Sequence, residues 1–166
     1  MNASSLPVNV GVIGLGAMGR GMAHSLRQAG YPVHVCDARP DAAQAFATEG
    51  GVACDNPAAL AALCPVVISV VVNAAQTEEV LFGPQGAASA MLANSVFVMC
   101  STVDPNWSAT TAARLQAMGP HYLDAPISGG AAKAASGQIT MMTAGSPAAY
   151  ALCEPMLNAM AASVYK

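Results

Sequence analysis

Two short runs in this sequence carry residue types that could do chemistry. The first is Gly14-Leu15-Gly16-Ala17-Met18-Gly19, spaced as GxGxxG. A pyrophosphate is gripped by backbone amides, so the chain must be free of side chains where the anion approaches. In this spacing Gly14 permits a tight turn, Gly16 lets the backbone come close, and Gly19 lets the following helix pack on its strand. Leu15, Ala17 and Met18 complete the same loop. Asp37, roughly 20 residues further on, could accept both hydroxyls of an adenosine ribose. Its charge opposes the 2′-phosphate of NADP, so NAD is the expected dinucleotide; Arg39 beside it is the residue that would favour NADP. The second run, Ser128-Gly129-Gly130, offers a hydroxyl and two unobstructed amides at an expected helix start. That combination suits a small carboxylate, although it also suits a plain capping turn. Lys133 follows closely and reads as a surface residue.

These runs need a scaffold, and the hydrophobic pattern supplies one. Residues 8–13 form a β-branched run, residues 18–29 carry apolar positions at helical spacing closed by Gly30, and residues 33–36 give the next strand, which completes a βαβ unit. The alternation continues with helices expected over 40–49 and 57–63 and a strand over 66–72. That strand is a continuous Val/Ile run, the mark of a strand covered on both faces. Helices are expected over 74–81 and 87–92, a strand over 96–100, and a helix from Asp104-Pro105 to about 118. Strands over 121–124 and 139–143, a helix over 147–161 and a strand beginning at 163 complete the pattern. Alternating strands and helices predict a Rossmann-type, doubly wound α/β fold with a mainly parallel sheet in a single domain. Ligands then belong in the crevice beyond the carboxyl ends of the strands.

Composition excludes several alternatives. The 166 residues are 54% hydrophobic and 9% charged, with a formal net charge of −3, so no basic stripe exists for nucleic acid or an anionic membrane. Residues 58–75 are the most membrane-like stretch, but Pro65 divides them into halves too short to span a bilayer. The five cysteines show no CxxC or Cys/His cluster, so neither a disulfide framework nor a metal site is expected, and a reducing cytoplasm is the natural compartment. Residues 1–7 lack the basic segment of a secretion signal.

The run from Gly11 to Gly19, together with Asp124-Ala125-Pro126-Ile127-Ser128-Gly129-Gly130 and the later Ala134 and Gly137, resembles the two signatures of the β-hydroxyacid dehydrogenases. That family includes 3-hydroxyisobutyrate dehydrogenase, tartronate semialdehyde reductase and L-threonate dehydrogenase, and the likeness covers essentially the whole chain. It implies NAD-dependent oxidation of a small β-hydroxy acid, with Val71, Val72 and Gln76 beside the cofactor and Thr102 on the nicotinamide side. Ser128, Gly129 and Gly130 would hold the substrate, and the run from Ser128 to Ala134 is similar to the threonate branch. Ala131-Ala132-Lys133 departs from the acidic residue usual after the Gly-Gly pair in 6-phosphogluconate dehydrogenases. The resemblance also places the family's proton-exchanging lysine, and an all-helical second domain, beyond residue 166. Residues 1–166 are therefore expected to form the NAD-binding domain, with no catalytic residue assigned within it, Lys166 included. Such a domain would bind cofactor without turnover and belong to a homo-oligomer when full-length. Two other readings stay open: an imine-reductase-like NAD(P)H domain, and a non-catalytic cofactor-binding or interaction module.

Overall fold

A computed structural model describes residues 8–166, so the reading of residues 1–7 lies outside the described residues. In chain order the elements are β1 (Val10–Ile13), α1 (Ala17–Gln28), β2 (Val33–Cys36), α2 (Pro40–Thr48), β3 (Val52–Ala53), α3 (Pro57–Ala61), β4 (Val66–Ser69), α4 (Ala74–Phe82), β5 (Val96–Met99), α5 (Pro105–Gln116) and β6 (His121–Asp124). They are followed by β7 (Ile127–Ser128), α6 (Gly130–Ala135), β8 (Ile139–Met142), β9 (Ala144–Gly145), α7 (Pro147–Met160) and β10 (Ala161–Tyr165).

The main sheet runs β3-β2-β1-β4-β5-β6-β9; β1 to β6 are parallel and β9 closes the edge antiparallel. Every residue of β1, β2, β4 and β5 is buried, as expected of Val/Ile-rich strands with helices on both faces. One face packs Val12, Val35 and Ile68 against Leu26 of α1, Phe46 of α2 and Leu157 of α7. The other packs Ile13, Val67 and Phe97 against Leu60 of α3, Leu81 of α4 and Leu115 of α5. The chain winds outward from β1 to β3 and then returns to β4 on the opposite side of β1. The loops after β1 and β4 diverge at that switch point and leave a crevice.

Several expectations over the elements needed correction. Residues 87–92 form turns and no helix. The amides of Ala87 and Ala88 donate to the carbonyls of Val80 and Leu81, so the segment folds back to satisfy the end of α4 and has no helix of its own. The strand expected over 66–72 ends at Ser69, because Val71 and Val72 leave the sheet to form the loop that faces the crevice. The helix expected over 57–63 ends at Ala61. The two-residue strands β3, β7 and β9 are too short for any hydrophobic period to reveal. A second, small sheet, β10-β8-β7, holds the segment after β6.

Candidate functional site

A cavity of about 810 Å³ opens at the carboxyl ends of β1, β2, β3 and β4. Of the residues singled out from sequence, Gly14, Gly16, Asp37, Arg39, Val71, Val72 and Gln76 line it. The three glycines of the first motif serve three different purposes. Gly14 adopts φ +99°, and a Cβ there would run into the carbonyl oxygen of Val70. A Cβ on Gly19 would run into the carbonyl of Gly14, so its role is the close seating of α1 on β1. At Gly16 a Cβ would meet no atom within 4 Å. The protein itself therefore does not require glycine at position 16, and the open space faces the cavity.

Gly16 is also the N-cap of α1, and it supplies no side-chain cap. The first-turn amides of Ala17, Met18 and Gly19 have no intrahelical acceptor, and the helix dipole adds partial positive charge beside them. Pyrophosphate fits that donor set. Leu15 and Met18 turn inward to the core, and exposed Ala17 contributes through its backbone.

Asp37 organises the loops around it. Its Oδ2 accepts the Leu15 amide at 2.6 Å and its Oδ1 accepts the Arg39 amide at 2.9 Å. The carboxylate thus ties the loop after β1 to the loop after β2, while each oxygen keeps a further lone pair for a hydroxyl donor. Across the cavity, Ser101 donates its hydroxyl to the Val71 carbonyl at 2.6 Å, and the Val72 amide donates to Gln76 Oε1 at 2.9 Å. Asn73 caps α4 by accepting the Gln76 amide. Val72 is 78% exposed at the rim.

Thr102 is exposed and does not line the cavity; the hydroxyl tied into the β4 loop belongs to its neighbour Ser101. Ser128, Gly129 and Gly130 are exposed and also lie outside the cavity wall, at the end of β7 and the start of α6. Gly129 and Gly130 adopt φ of +135° and +82°. Their element is pinned to α1: Gly21 leaves room for Ala134, and Ser25 donates its hydroxyl to the Ala134 carbonyl at 2.6 Å. Further along, Gly137 comes near Ser25, so α6 runs in the same direction as α1 and both helices begin at the same end of the sheet. Lys133 is exposed. Lys166 pairs with Glu154 and stacks 4.8 Å over the Tyr150 ring, so it is already engaged.

Sequence reasoning missed the polar wall residues Asp55, Asn56, Glu79 and Gln85, and Pro57 beside them. Asn56-Pro57 was legible, since it is the same kind of cap and first-turn pair as Asp104-Pro105. All five thiols are free. Burial pushes Cys36 up to about 11 and Cys64 and Cys153 up to about 12, so these are inert core thiols. Burial likewise raises Asp124, at the start of the second motif, against a lowering hydrogen bond from Ser108. Among the described residues no His, Cys, Asp and Glu cluster could hold a metal, and no helix is long and apolar enough to cross a membrane.

Comparison with known proteins agrees with this geometry. The family described as the NAD binding domain of 6-phosphogluconate dehydrogenase matches residues 9–166. An L-threonate dehydrogenase of Cupriavidus necator is 53% identical over 95% of this chain, which covers 53% of that protein. The crystal structure of a 3-hydroxyisobutyrate dehydrogenase from Salmonella typhimurium superposes with a TM-score of 0.91 at 39% identity, over 96% of this chain and 55% of that one. An imine reductase from Pseudomonas sp. superposes with a TM-score of 0.88 at 25% identity, over 97% and 55% of the two chains. The chain spans about half the length of the curated relatives it matches. A mainly parallel sheet with its crevice at the switch point, an unobstructed glycine at an uncapped helix start, and these matches together place the chain in the β-hydroxyacid dehydrogenase family, where it corresponds to the N-terminal NAD-binding domain.

Proposed function

We propose that the cavity holds NAD(H) and that the domain presents its nicotinamide to a small β-hydroxy acid of the threonate or 3-hydroxyisobutyrate kind. The observation that carries this reading is Gly16, which has empty space where a side chain would stand, beside the free amides of Ala17, Met18 and Gly19. In this reading those amides, with Gly14, Gly16 and Leu15 shaping the loop, bind the pyrophosphate, and Asp37 binds the adenosine ribose. Arg39 lies at the ribose edge. Val71, Val72, Gln76 and Thr102 border the nicotinamide side. Bound NAD would supply a hydride acceptor for the carbinol carbon of the acid. Ser128, Gly129 and Gly130 would orient the acid's carboxylate from the end of the molecule where α1 also begins. The 53% identity to an L-threonate dehydrogenase favours the threonate branch over imine reduction.

The proton-accepting lysine and the helical domain implied by the resemblance would lie beyond Lys166, with residues 1–166 the cofactor-binding unit. The domain alone would then bind and not turn over, and the full-length protein would be a cytoplasmic homo-oligomer. Trp107 is the single tryptophan, and its emission overlaps NADH absorption. Titration with NADH should quench it saturably and more strongly than NADPH at equal concentration. Absence of saturable binding by either would overturn the reading of the cavity. Turnover of L-threonate by the 166-residue chain would overturn the division of labour.

A further inference from the structure

We infer that Asp55 is a second dinucleotide selector, acting beside Asp37 to keep a phosphate off the adenosine ribose. The inference rests on the proposed reading of the cavity as a dinucleotide site and adds a residue to it. Val35 and Ala53 are register partners in the parallel pair β2–β3, and the Cys54 amide donates to the Val35 carbonyl at 2.8 Å. Asp37 and Asp55 each stand two residues beyond those partners. Their carboxylates therefore leave adjacent strand ends at the same level, and both line the cavity. The Cys36 thiol between them is raised first by burial and also by the charges of Cys54, Asp37 and Asp55, so it sits within electrostatic reach of both carboxylates.

The order of the strands says which part of a dinucleotide Asp55 would meet. Pyrophosphate on α1 sits over β1 at the switch point, the ribose on Asp37 sits over β2, and the next strand outward is β3. The outer, adenosine end of the nucleotide thus abuts Asp55. The Asp37 oxygens are each occupied by an amide, whereas Asp55 makes no side-chain hydrogen bond or ion pair among the described residues. Its charge is free to act on a ligand. Asp37, Asp55 and Glu79 face the cavity against the single guanidinium of Arg39. A 2′-phosphate would enter that field as a like charge, whereas a ribose hydroxyl could donate to it.

The test compares the wild-type chain with Asp55→Asn and Asp55→Ser. Calorimetry gives the NADH affinity, and displacement of NADH gives the NADPH affinity. Asp55 is exposed, so both variants should fold, which thermal melting checks. Removing the charge should strengthen NADPH binding about tenfold, with NADH changed less than about twofold, and the gain should shrink at high salt. An unchanged NADPH-to-NADH ratio in both variants would overturn the role of Asp55 and leave the dinucleotide reading standing. Failure of the wild-type chain to bind either nucleotide would overturn both.

Discussion

Helix starts in this fold are of two kinds. Those of α3, α4, α5 and α7 are closed by the chain's own side chains: Asn56, Asn73, Asp104 and Ser146 each accept a first-turn amide. Those of α1, α2 and α6 begin at Gly16, Arg39 and Gly129, whose own side chains accept no first-turn amide, and at α2 the Arg39 amide itself goes to Asp37 Oδ1. The four first amides of a helix want acceptors whether or not a ligand is present. Where the protein closes them, it stabilises itself. The open starts follow β1, β2 and β7, the three places assigned to pyrophosphate, ribose and substrate. On the proposed reading, this fold separates positions that secure the architecture from positions left for a ligand.

The contrast is sharpest within the first glycine motif. Gly19→Ala forces a Cβ into the Gly14 carbonyl, so it should cost roughly 1–3 kcal/mol as an overpacked contact and lower NADH affinity as well. Thermal melting and nucleotide titration of the same sample check both effects. Gly16→Val, three residues away, fills space that no protein atom occupies. It should leave stability within about 0.5 kcal/mol and weaken NADH by at least about tenfold. If Gly16→Val destabilises as Gly19→Ala does, the two glycines do not differ in kind.

A closed start should behave in the opposite way. Asp104→Ala removes the acceptor for the Asn106 and Trp107 amides and should cost about 1 kcal/mol without altering NADH affinity. The last effect is absent at neutral pH and concerns the core thiols. Cys36, Cys64 and Cys153 are raised by burial to about 11, 12 and 12. The folded state holds their protons more tightly than the unfolded chain, where thiols titrate near 8.5. Their contribution to stability is thus complete below about pH 8.5 and is lost as pH rises through 11 to 12. Melting temperature should decline across that alkaline window, and substitution of the three by Ala should flatten the decline.

Much of this was legible in the sequence because the signals were local. The GxGxxG spacing, the β-branched runs and Asp37 each describe a strand, a strand end or a turn, and Gly14, Gly16 and Asp37 line the cavity. The illegible parts depend on pairing between distant segments. Nothing around Asp55 marks it until β3, two residues long, is set against β2. Residues 87–92 carry helix-forming alanines, yet the chain folds back on α4 and the amides of Ala87 and Ala88 go to Val80 and Leu81, a turn that no periodicity announces. Thr102 lies outside the cavity wall while its neighbour Ser101 donates its hydroxyl to the Val71 carbonyl, and neighbouring hydroxyls on a loop look alike until one is turned inward.

The most direct test of the central claim is an amide-resolved NMR titration of the chain with NADH. The account expects the largest shifts at Gly16, Ala17, Met18 and Gly19, with further shifts at Asp37 and Arg39, and little change at the capped starts of α5 and α7. Shifts centred on Asp104 to Trp107 or on Ser146, with the start of α1 unmoved, would contradict it.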